Sequence, residues 1–179
     1  MKYNISKDFY KCKINIPFSK PILYMSRIPQ DIMLKLTPIP KEIEVNKYKL
    51  ENGLKVEIFK PKNIKEDLPC LIYFHGGGFG FKAASYHKKL ACIYAEKVGI
   101  NVVFPDYKLI PKYPYPNAKQ DAIYTYNWVC DNCKKLGINK NRIAVAGDSA
   151  GAVLATYVCG YKRENDANKL CAQMLIYPV

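Results

Sequence analysis

The chain has 179 residues and a mass of 20.5 kDa, enough for one domain with a hydrophobic core and too few for two ordinary domains. Hydrophobic residues make up 49% of it and charged residues 24%, a balance that excludes intrinsically disordered, collagen-like and low-complexity classes. The net charge is +13, but the lysines are scattered singly or in pairs, and only three of the 28 basic residues are arginines. Because base-reading surfaces depend on arginine, we expect no nucleic-acid partner.

The sequence also bears on where the protein works. No stretch approaches the run of about 18 apolar residues that a membrane-spanning helix needs. The first eight residues lack the apolar core of a secretory signal, and the seven cysteines are odd in number and follow no disulfide spacing. These features predict a protein without a membrane span that works in the cytoplasm.

Residues 1–47 form an irregular, proline-containing segment. Because proline disrupts a helix interior, we expect the prolines there to break any long helix and to leave short helices or a lid. Residues 43–50 and 54–60 alternate apolar and polar residues around Asn52-Gly53, a dipeptide typical of hairpin turns. We predict two antiparallel strands there, and we divide the chain into a cap-like segment, 1–47, and a main domain, 48–179.

From residue 68 onward the pattern changes to alternating strands and helices. Apolar runs at 68–74, 101–105, 142–147 and 171–177 predict buried strands, and stretches 86–97 and 149–161 predict helices. A further helix is indicated by apolar positions that recur at steps of four, three, four and three, followed by a C-cap at Gly137: Ala122, Tyr126, Val129, Cys133 and Leu136. The order predicts an α/β fold, with a mostly parallel sheet flanked by helices and an N-terminal antiparallel hairpin.

The sequence GDSAG, residues 147–151, lies between a predicted strand and a predicted helix. It matches G-x-S-x-G, in which a sharp turn projects the hydroxyl of Ser149 while Gly147 and Gly151 let the strand and the helix approach closely. Taken alone, the pattern fits an ordinary strand-to-helix turn with a serine N-cap as well.

A second motif, HGGGF at residues 75–79, follows the first buried strand. Its three glycines let backbone N–H groups converge where an acyl-transfer enzyme needs donors for an oxyanion. We predict that the amides of Gly77, Gly78 and Ala150 bind this oxyanion. We expect the side chain of His75 to anchor the loop rather than to act as a base.

Together these motifs resemble the hormone-sensitive-lipase-like branch of the α/β-hydrolases, also called α/β-hydrolase fold-3. Residues 75–79, which begin with His75 and Gly76, look like its oxyanion motif. Residues 147–151, in which Asp148 precedes the serine, look like its nucleophile elbow. Residues 106–116, DYKLIPKYPYP, resemble its Asp-Tyr-Arg-Leu-Ala-Pro-Glu-x-Pro-x-Pro segment. The resemblance covers residues 68–179. It implies an α/β-hydrolase fold, hydrolysis of a carboxylic-ester substrate with Ser149 as nucleophile, and no metal or organic cofactor.

The chain departs from this family after the nucleophile. In α/β-hydrolases an acidic residue and then a histidine follow the serine, but the 30 residues after Ser149 contain no histidine, and Asp166 lies in a stretch that matches a surface loop. For His87, at a predicted helix start, we expect a surface or capping role. Because serine without a base is a weak nucleophile, we expect an inactive or weakly active chain: an incomplete reading frame, a truncated gene or half of a split enzyme. We expect its last strand to be an exposed edge that favours self-association or complementation.

Two alternatives remain open, and one further motif has a structural explanation. The chain fits a non-catalytic α/β module that binds ligands, since the histidine is missing. Residues 78–83 match the dinucleotide-binding pattern G-x-G-x-x-A, although Phe79 and Phe81 are bulky for such a loop. Cys130 and Cys133 form a C-x-x-C motif that has no second pair to complete a zinc site, so we expect these two side chains to pack in the core.

Overall fold

The computed structural model describes residues 19–62, 64, 67–161 and 170–179. The strands in these ranges are β1 (Ile43–Lys49), β2 (Lys55–Pro61), β3 (Leu68–Phe74), β4 (Asn101–Asp106), β5 (Ile138–Asp148) and β6 (Leu170–Ile176). The helices are α1 (Lys20–Leu36), α2 (Ser85–Val98), α3 (Tyr115–Asp131), α4 (Cys133–Leu136) and α5 (Ala150–Gly160).

The described strands form a single six-stranded sheet in the order β1-β2-β4-β3-β5-β6. β1 and β2 form an antiparallel hairpin around Gly53, whose φ of 81° suits glycine, and β1 runs across residue 47, where we end the cap-like segment. β2 pairs antiparallel with β4, whereas β3 pairs parallel with β4 and β5, and β5 pairs parallel with β6. The predicted α/β class, with a mostly parallel sheet and an N-terminal antiparallel hairpin, is confirmed.

Helices cover both faces of the central strands, as parallel strands require. On one face, α3, α4 and α5 enclose a core that includes Ile72, Phe74 and Leu154. On the other face, α2 covers a smaller core that includes Tyr73 and Phe104. The central strands are therefore apolar on both faces, and their carboxyl ends carry the loops that form the candidate site.

The helix α1 corrects one sequence-based expectation, because prolines do not break the segment into short pieces. Pro21 lies in the first turn, where a backbone N–H has no intrahelical acceptor in any case, and Pro29 lies inside the helix. Tertiary contacts offset the local cost of Pro29: Leu23 is buried, and the guanidinium of Arg27 donates to the carbonyl of Ile110 at 2.5 Å.

The recurring apolar positions that end at Leu136 lie on two successive helices, whereas the sequence predicts one. α3 ends at Asp131, and Asn132 donates its side-chain N–H to the carbonyl of Trp128 at 2.9 Å. α4 then continues the apolar stripe with Cys133, and Gly137 ends it with φ 66° as the predicted C-cap.

Candidate active site

The turn between β5 and α5 places Ser149 in an uncommon backbone conformation. Its φ is 49° and its ψ is −119°, a region that costs energy for any residue except glycine and that is found mostly at functional sites. Two hydrogen bonds hold the turn: the amide of Ser149 donates to the carbonyl of Ile176 at 2.9 Å, and the amide of Ala152 donates to the carbonyl of Ser149 at 3.0 Å. The half-buried serine therefore sits at the N-terminus of α5, where backbone N–H groups are unpaired.

The two glycines that flank the serine are required by the close approach of α5 to the sheet. A Cβ atom on Gly151 would overlap the carbonyl oxygens of Phe74 and His75, both of which are backbone atoms. A Cβ atom on Gly147 would overlap the backbone of Gly151. The spacing of the G-x-S-x-G pattern therefore follows from how tightly the first turn of this helix packs on β3.

The glycine loop lies beside this turn because β3 and β5 are neighbours in register, with Phe74 opposite Gly147. Gly77 and Gly78 both have positive φ angles, 125° and 56°. No described residue accepts a hydrogen bond from either amide, whereas the carbonyl of Gly77 accepts the amides of residues 80 and 81 at 3.0 and 2.9 Å. The two amides thus remain available to a ligand near the serine turn.

Asp148, the residue before the serine, binds a buried cluster of donors. Its carboxylate accepts hydrogen bonds from Tyr73 Oη at 2.9 Å, His87 Nε2 at 3.0 Å and Tyr177 Oη at 3.0 Å. Burial acts to raise the pKa of Asp148, but these hydrogen bonds outweigh it and lower the pKa to about 2. A Cβ atom on Gly76 would overlap this carboxylate, so the cluster also fixes the start of the glycine loop.

His87 is buried, so the expectation of a surface position is wrong, while the expected capping role is present. Its Nδ1 accepts the amide of Ala84, the N-cap residue of α2, at 2.9 Å. Because this bond uses the lone pair of Nδ1, Nε2 is the ring nitrogen left to donate to Asp148. The amide of Gly76 also points at Nε2, at the longer distance of 3.3 Å. The acidic residue next to Ser149 is the sequence signal that could have identified this partner.

His75 is held by contacts within the loop that it begins. Its Nδ1 donates to the carbonyl of Gly76 at 2.6 Å, and its ring stacks on Tyr107 with centroids 4.4 Å apart. Burial lowers its pKa to about 4, so the ring is neutral near pH 7. These contacts agree with an anchoring role. The sequence contains two histidines, and neither ring forms a hydrogen bond with Ser149.

The polar side chains on one side of α1 hold the far end of the glycine loop. Arg27 donates to the carbonyls of Ile110 and Gly80, at 2.5 and 3.4 Å. Gln30 accepts the amide of Lys82 at 3.0 Å. Sequence reasoning missed these contacts, because a segment expected to be irregular gave no reason to place these two polar residues on one helix face.

Other motifs have simpler explanations. Cys133 is buried and donates to the carbonyl of Val129 at 3.2 Å, as expected for core packing, and Cys130 is half-buried. α2 begins at Ser85, beyond residues 78–83, so that pattern does not open a helix as a dinucleotide-binding loop does. Asp166 lies outside the described residues. Within the described ranges, no group of three or more His, Cys, Asp or Glu side chains is arranged to hold a metal, and no helix is long and apolar enough to cross a membrane.

Comparison with known proteins places this arrangement in a family. A family model described as alpha/beta hydrolase fold matches residues 71–179. Carboxylesterase NlhH of Mycobacterium tuberculosis is 35% identical over 123 residues, which are 69% of this chain and 39% of that protein. Hormone-sensitive lipase of Homo sapiens is 33% identical over 95 residues, which are 53% of this chain and 9% of that protein.

The solved structures agree with the sequence relatives. The hyperthermophilic esterase from the archaeon Pyrobaculum calidifontis superposes with a TM-score of 0.74 at 32% identity, over 89% of this chain and 51% of that one. The chain thus spans roughly two fifths of the mycobacterial relative, at 39%, and about half of the archaeal one. Since the family model covers both glycine motifs, the resemblance read from them is confirmed: the chain belongs to the α/β-hydrolase family, in its hormone-sensitive-lipase-like branch.

Proposed function

We propose that this chain carries the nucleophile and the oxyanion-binding loop of a serine carboxylesterase. The observation that carries the proposal is the strained backbone of Ser149, at φ 49°, between β5 and the N-terminus of α5 and beside the Gly77 and Gly78 amides. Relatives named carboxylesterase, esterase and lipase support a carboxylic ester as the substrate class.

In the proposed reaction Ser149 Oγ attacks the ester carbonyl carbon while a base removes the hydroxyl proton. The alcohol leaves with that proton as its C–O bond breaks, and water then attacks the acyl-enzyme to release the acid. The amides of Gly77, Gly78 and Ala150 hold the oxyanion in both steps. Ala150 suits this role because the amide of the first residue of α5 has no intrahelical acceptor. Each donor contributes about 10²–10³ in rate.

We further propose that the base comes from polypeptide outside these 179 residues. His75 is bonded to Gly76 and stacked on Tyr107, and His87 is bonded to Asp148 and Ala84. The isolated chain is then inactive or weakly active, with a residual acceleration on the order of 10³–10⁴ over water from oxyanion binding alone.

The exposure of the last strand, β6, supports the proposal that further polypeptide completes the site. Among the described strands β6 pairs with β5 alone, and none of its seven residues is buried, although parallel strands normally have both faces covered. Its side chains include exposed Met174 and Leu175. A complementary polypeptide that adds a strand to β6 and covers its faces is the partner we propose. Self-association through the same edge is the competing outcome.

The proposal is tested by producing the 179-residue chain together with the part of carboxylesterase NlhH that follows its matched segment. We expect the complex to hydrolyse p-nitrophenyl acetate and to react with a fluorophosphonate at Ser149, located by mass spectrometry. Ser149→Ala is expected to lower the rate at least about 10³-fold. The matched control is Ser26→Ala, which removes a hydroxyl that donates to the carbonyl of Leu23 within its own helix.

A complex that assembles but hydrolyses the ester equally well with Ser149→Ala contradicts the proposal. Assembly with neither labelling nor hydrolysis favours the second candidate, a non-catalytic binding module. The absence of any histidine contact to Ser149 within the chain is the observation that favours that candidate.

We also propose that the protein works in the reducing cytoplasm. All six cysteines of the described ranges are free thiols: Cys70, Cys92, Cys130, Cys133, Cys159 and Cys171. A protein with this many free thiols suits a reducing compartment, where thiols stay reduced. Cell fractionation with an antibody against the chain checks this location.

A further inference from the structure

A cavity lies between α1 and the carboxyl end of the sheet. Its volume is about 670 Å³, within the range of small-molecule sites. Neither Ser149 nor the amides of Gly77 and Gly78 line it. We call it the lysine pocket, because six of its lining residues are lysines: Lys35, Lys47, Lys49, Lys55, Lys82 and Lys88.

The pocket is polar because the strands change character toward this end. Alternate residues of a strand share a face, so Phe59, Glu57 and Lys55 of β2 point the same way, as do Phe104 and Asp106 of β4. The aromatic members of these rows pack in the core beneath α2. The charged members follow beyond that core and line the pocket.

Lys88 supplies a buried cation at the wall of the pocket. Its side chain is about 5% exposed, yet among the described residues its Nζ reaches only the carbonyl of Leu34 at 3.4 Å and a carboxylate oxygen of Glu57 at 3.6 Å. An ammonium group has three donors, and a buried one is costly unless close acceptors satisfy them. Both contacts are long, so Lys88 retains capacity for an anionic acceptor.

His75 supplies a buried acceptor at the same pocket. Because its Nδ1 carries the proton donated to Gly76, the other ring nitrogen, Nε2, is an acceptor. Nε2 is buried and has no hydrogen-bond partner among the described residues, and the residue lines the pocket. The wall of the pocket therefore contains a buried lysine and a histidine ring with an unpaired acceptor.

The charge around the pocket favours an anion. Three carboxylates face the six lysines, and two of them are already paired, Asp31 with Lys82 at 2.6 Å and Glu57 with Lys47 at 3.3 Å. The third, Asp106, has no ion pair within the described residues and provides a further acceptor. The adjoining cavity of about 330 Å³ is also rich in lysine and arginine. Such an excess of one sign attracts a polyvalent ligand of the other.

We propose that the lysine pocket binds a small polycarboxylate that carries a hydroxyl group. Its carboxylates contact Lys88 and the lysines at the rim, and its hydroxyl donates to Nε2 of His75. This binding is independent of ester hydrolysis at Ser149, so either proposal can fail without the other.

The test is isothermal titration calorimetry of the 179-residue chain with citrate, which has three carboxylates and one hydroxyl. We expect saturable binding. Tricarballylate, which has the same carboxylates without the hydroxyl, is expected to bind about fivefold more weakly, because one hydrogen bond is lost. Equal affinity for the two acids would overturn the role of His75, and no saturable binding of citrate would overturn the site.

Variants distinguish binding of citrate in the lysine pocket from a general attraction of citrate to a basic protein. Lys88→Met keeps the length of the side chain, and Lys55→Gln changes an exposed rim residue that does not threaten folding. Each is expected to weaken citrate binding by roughly tenfold, because a charge-assisted contact is lost. Lys135→Gln removes the same charge from exposed α4 and serves as the control. Equal weakening by Lys55→Gln and Lys135→Gln would contradict a defined site.

Discussion

At the scale of single residues, Asp148 shows how the position before Ser149 can stabilise the serine turn. Its carboxylate joins donors from three separate elements: Tyr73 on β3, His87 on α2 and Tyr177 after β6. Among the described residues, none of these three side chains is hydrogen-bonded to the amides of Gly77, Gly78 or Ala150. The cluster acts on the site by holding β5 and the glycine loop in place.

Asp148→Asn is expected to lower the free energy of unfolding by about 2–3 kcal/mol at pH 7, because hydrogen bonds to a buried charge are lost. The pKa of Asp148 is lowered from 3.8 to about 2 in the fold. Its charged form therefore stabilises the fold fully above about pH 4, and this stabilisation is lost as the pH falls toward 2. Urea unfolding at several pH values measures both effects.

The matched control is Glu51→Gln, at the exposed hairpin turn, which should leave the acid-side loss of stability unchanged. If Asp148→Asn and wild type lose stability in parallel between pH 4 and 2, the lowered pKa of Asp148 is not the cause of the acid sensitivity.

At the scale of elements, the site depends on the approach of α5 to β3. The helix can start where it does because Gly151 has no side chain facing the carbonyls of Phe74 and His75. The opposite end of the same helix carries Gly160, which has open space around it. The helix α5 thus contains one glycine that close packing requires, Gly151, and one that it does not require, Gly160.

Gly151→Ala is expected to destabilise the protein by about 2–3 kcal/mol, because backbone atoms of β3 must move to admit the methyl group. Gly160→Ala is expected to stabilise it by about 0.5–1 kcal/mol, since alanine loses less entropy in a helix. Thermal or urea unfolding of the two variants decides this. Equal effects would show that the close approach does not restrain position 151.

At the scale of the whole molecule, the two edges of the sheet differ in how well they are protected against pairing with another chain. The hairpin strand β1 closes one edge, with exposed lysines such as Lys47 and Lys49 that discourage pairing. The other edge, β6, presents exposed Met174 and Leu175 and has β5 as its one neighbour in the part of the chain that the structure describes. This asymmetry is the basis for the proposed partner at β6.

Met174→Lys is expected to reduce concentration-dependent association of the isolated chain, because a charge on an edge strand opposes pairing. Met25→Lys, on exposed α1, adds the same charge and removes the same side chain elsewhere. Sedimentation velocity at increasing concentration compares the two. Association that Met25→Lys reduces as much as Met174→Lys would show that β6 is not the contact.

Much of the fold could be read from local patterns. The strand at 68–74 and the hairpin around Gly53 follow from continuous and alternating apolar runs. The position of Ser149 between a strand and a helix follows from the glycines around it. Such features are set by residues close together in the chain, so their signal survives without any tertiary contact.

The sequence by itself therefore determined the α/β class, the order of the elements and the family motifs. Only the tertiary structure decided the length of α1, the burial of His87 and the existence of the lysine pocket. Each of these depends on partners far away in the chain: Arg27 on Ile110, His87 on Asp148, and the pocket on strands brought together by the sheet. Local propensity contains no information about such partners, so the packing of the whole domain overrides it.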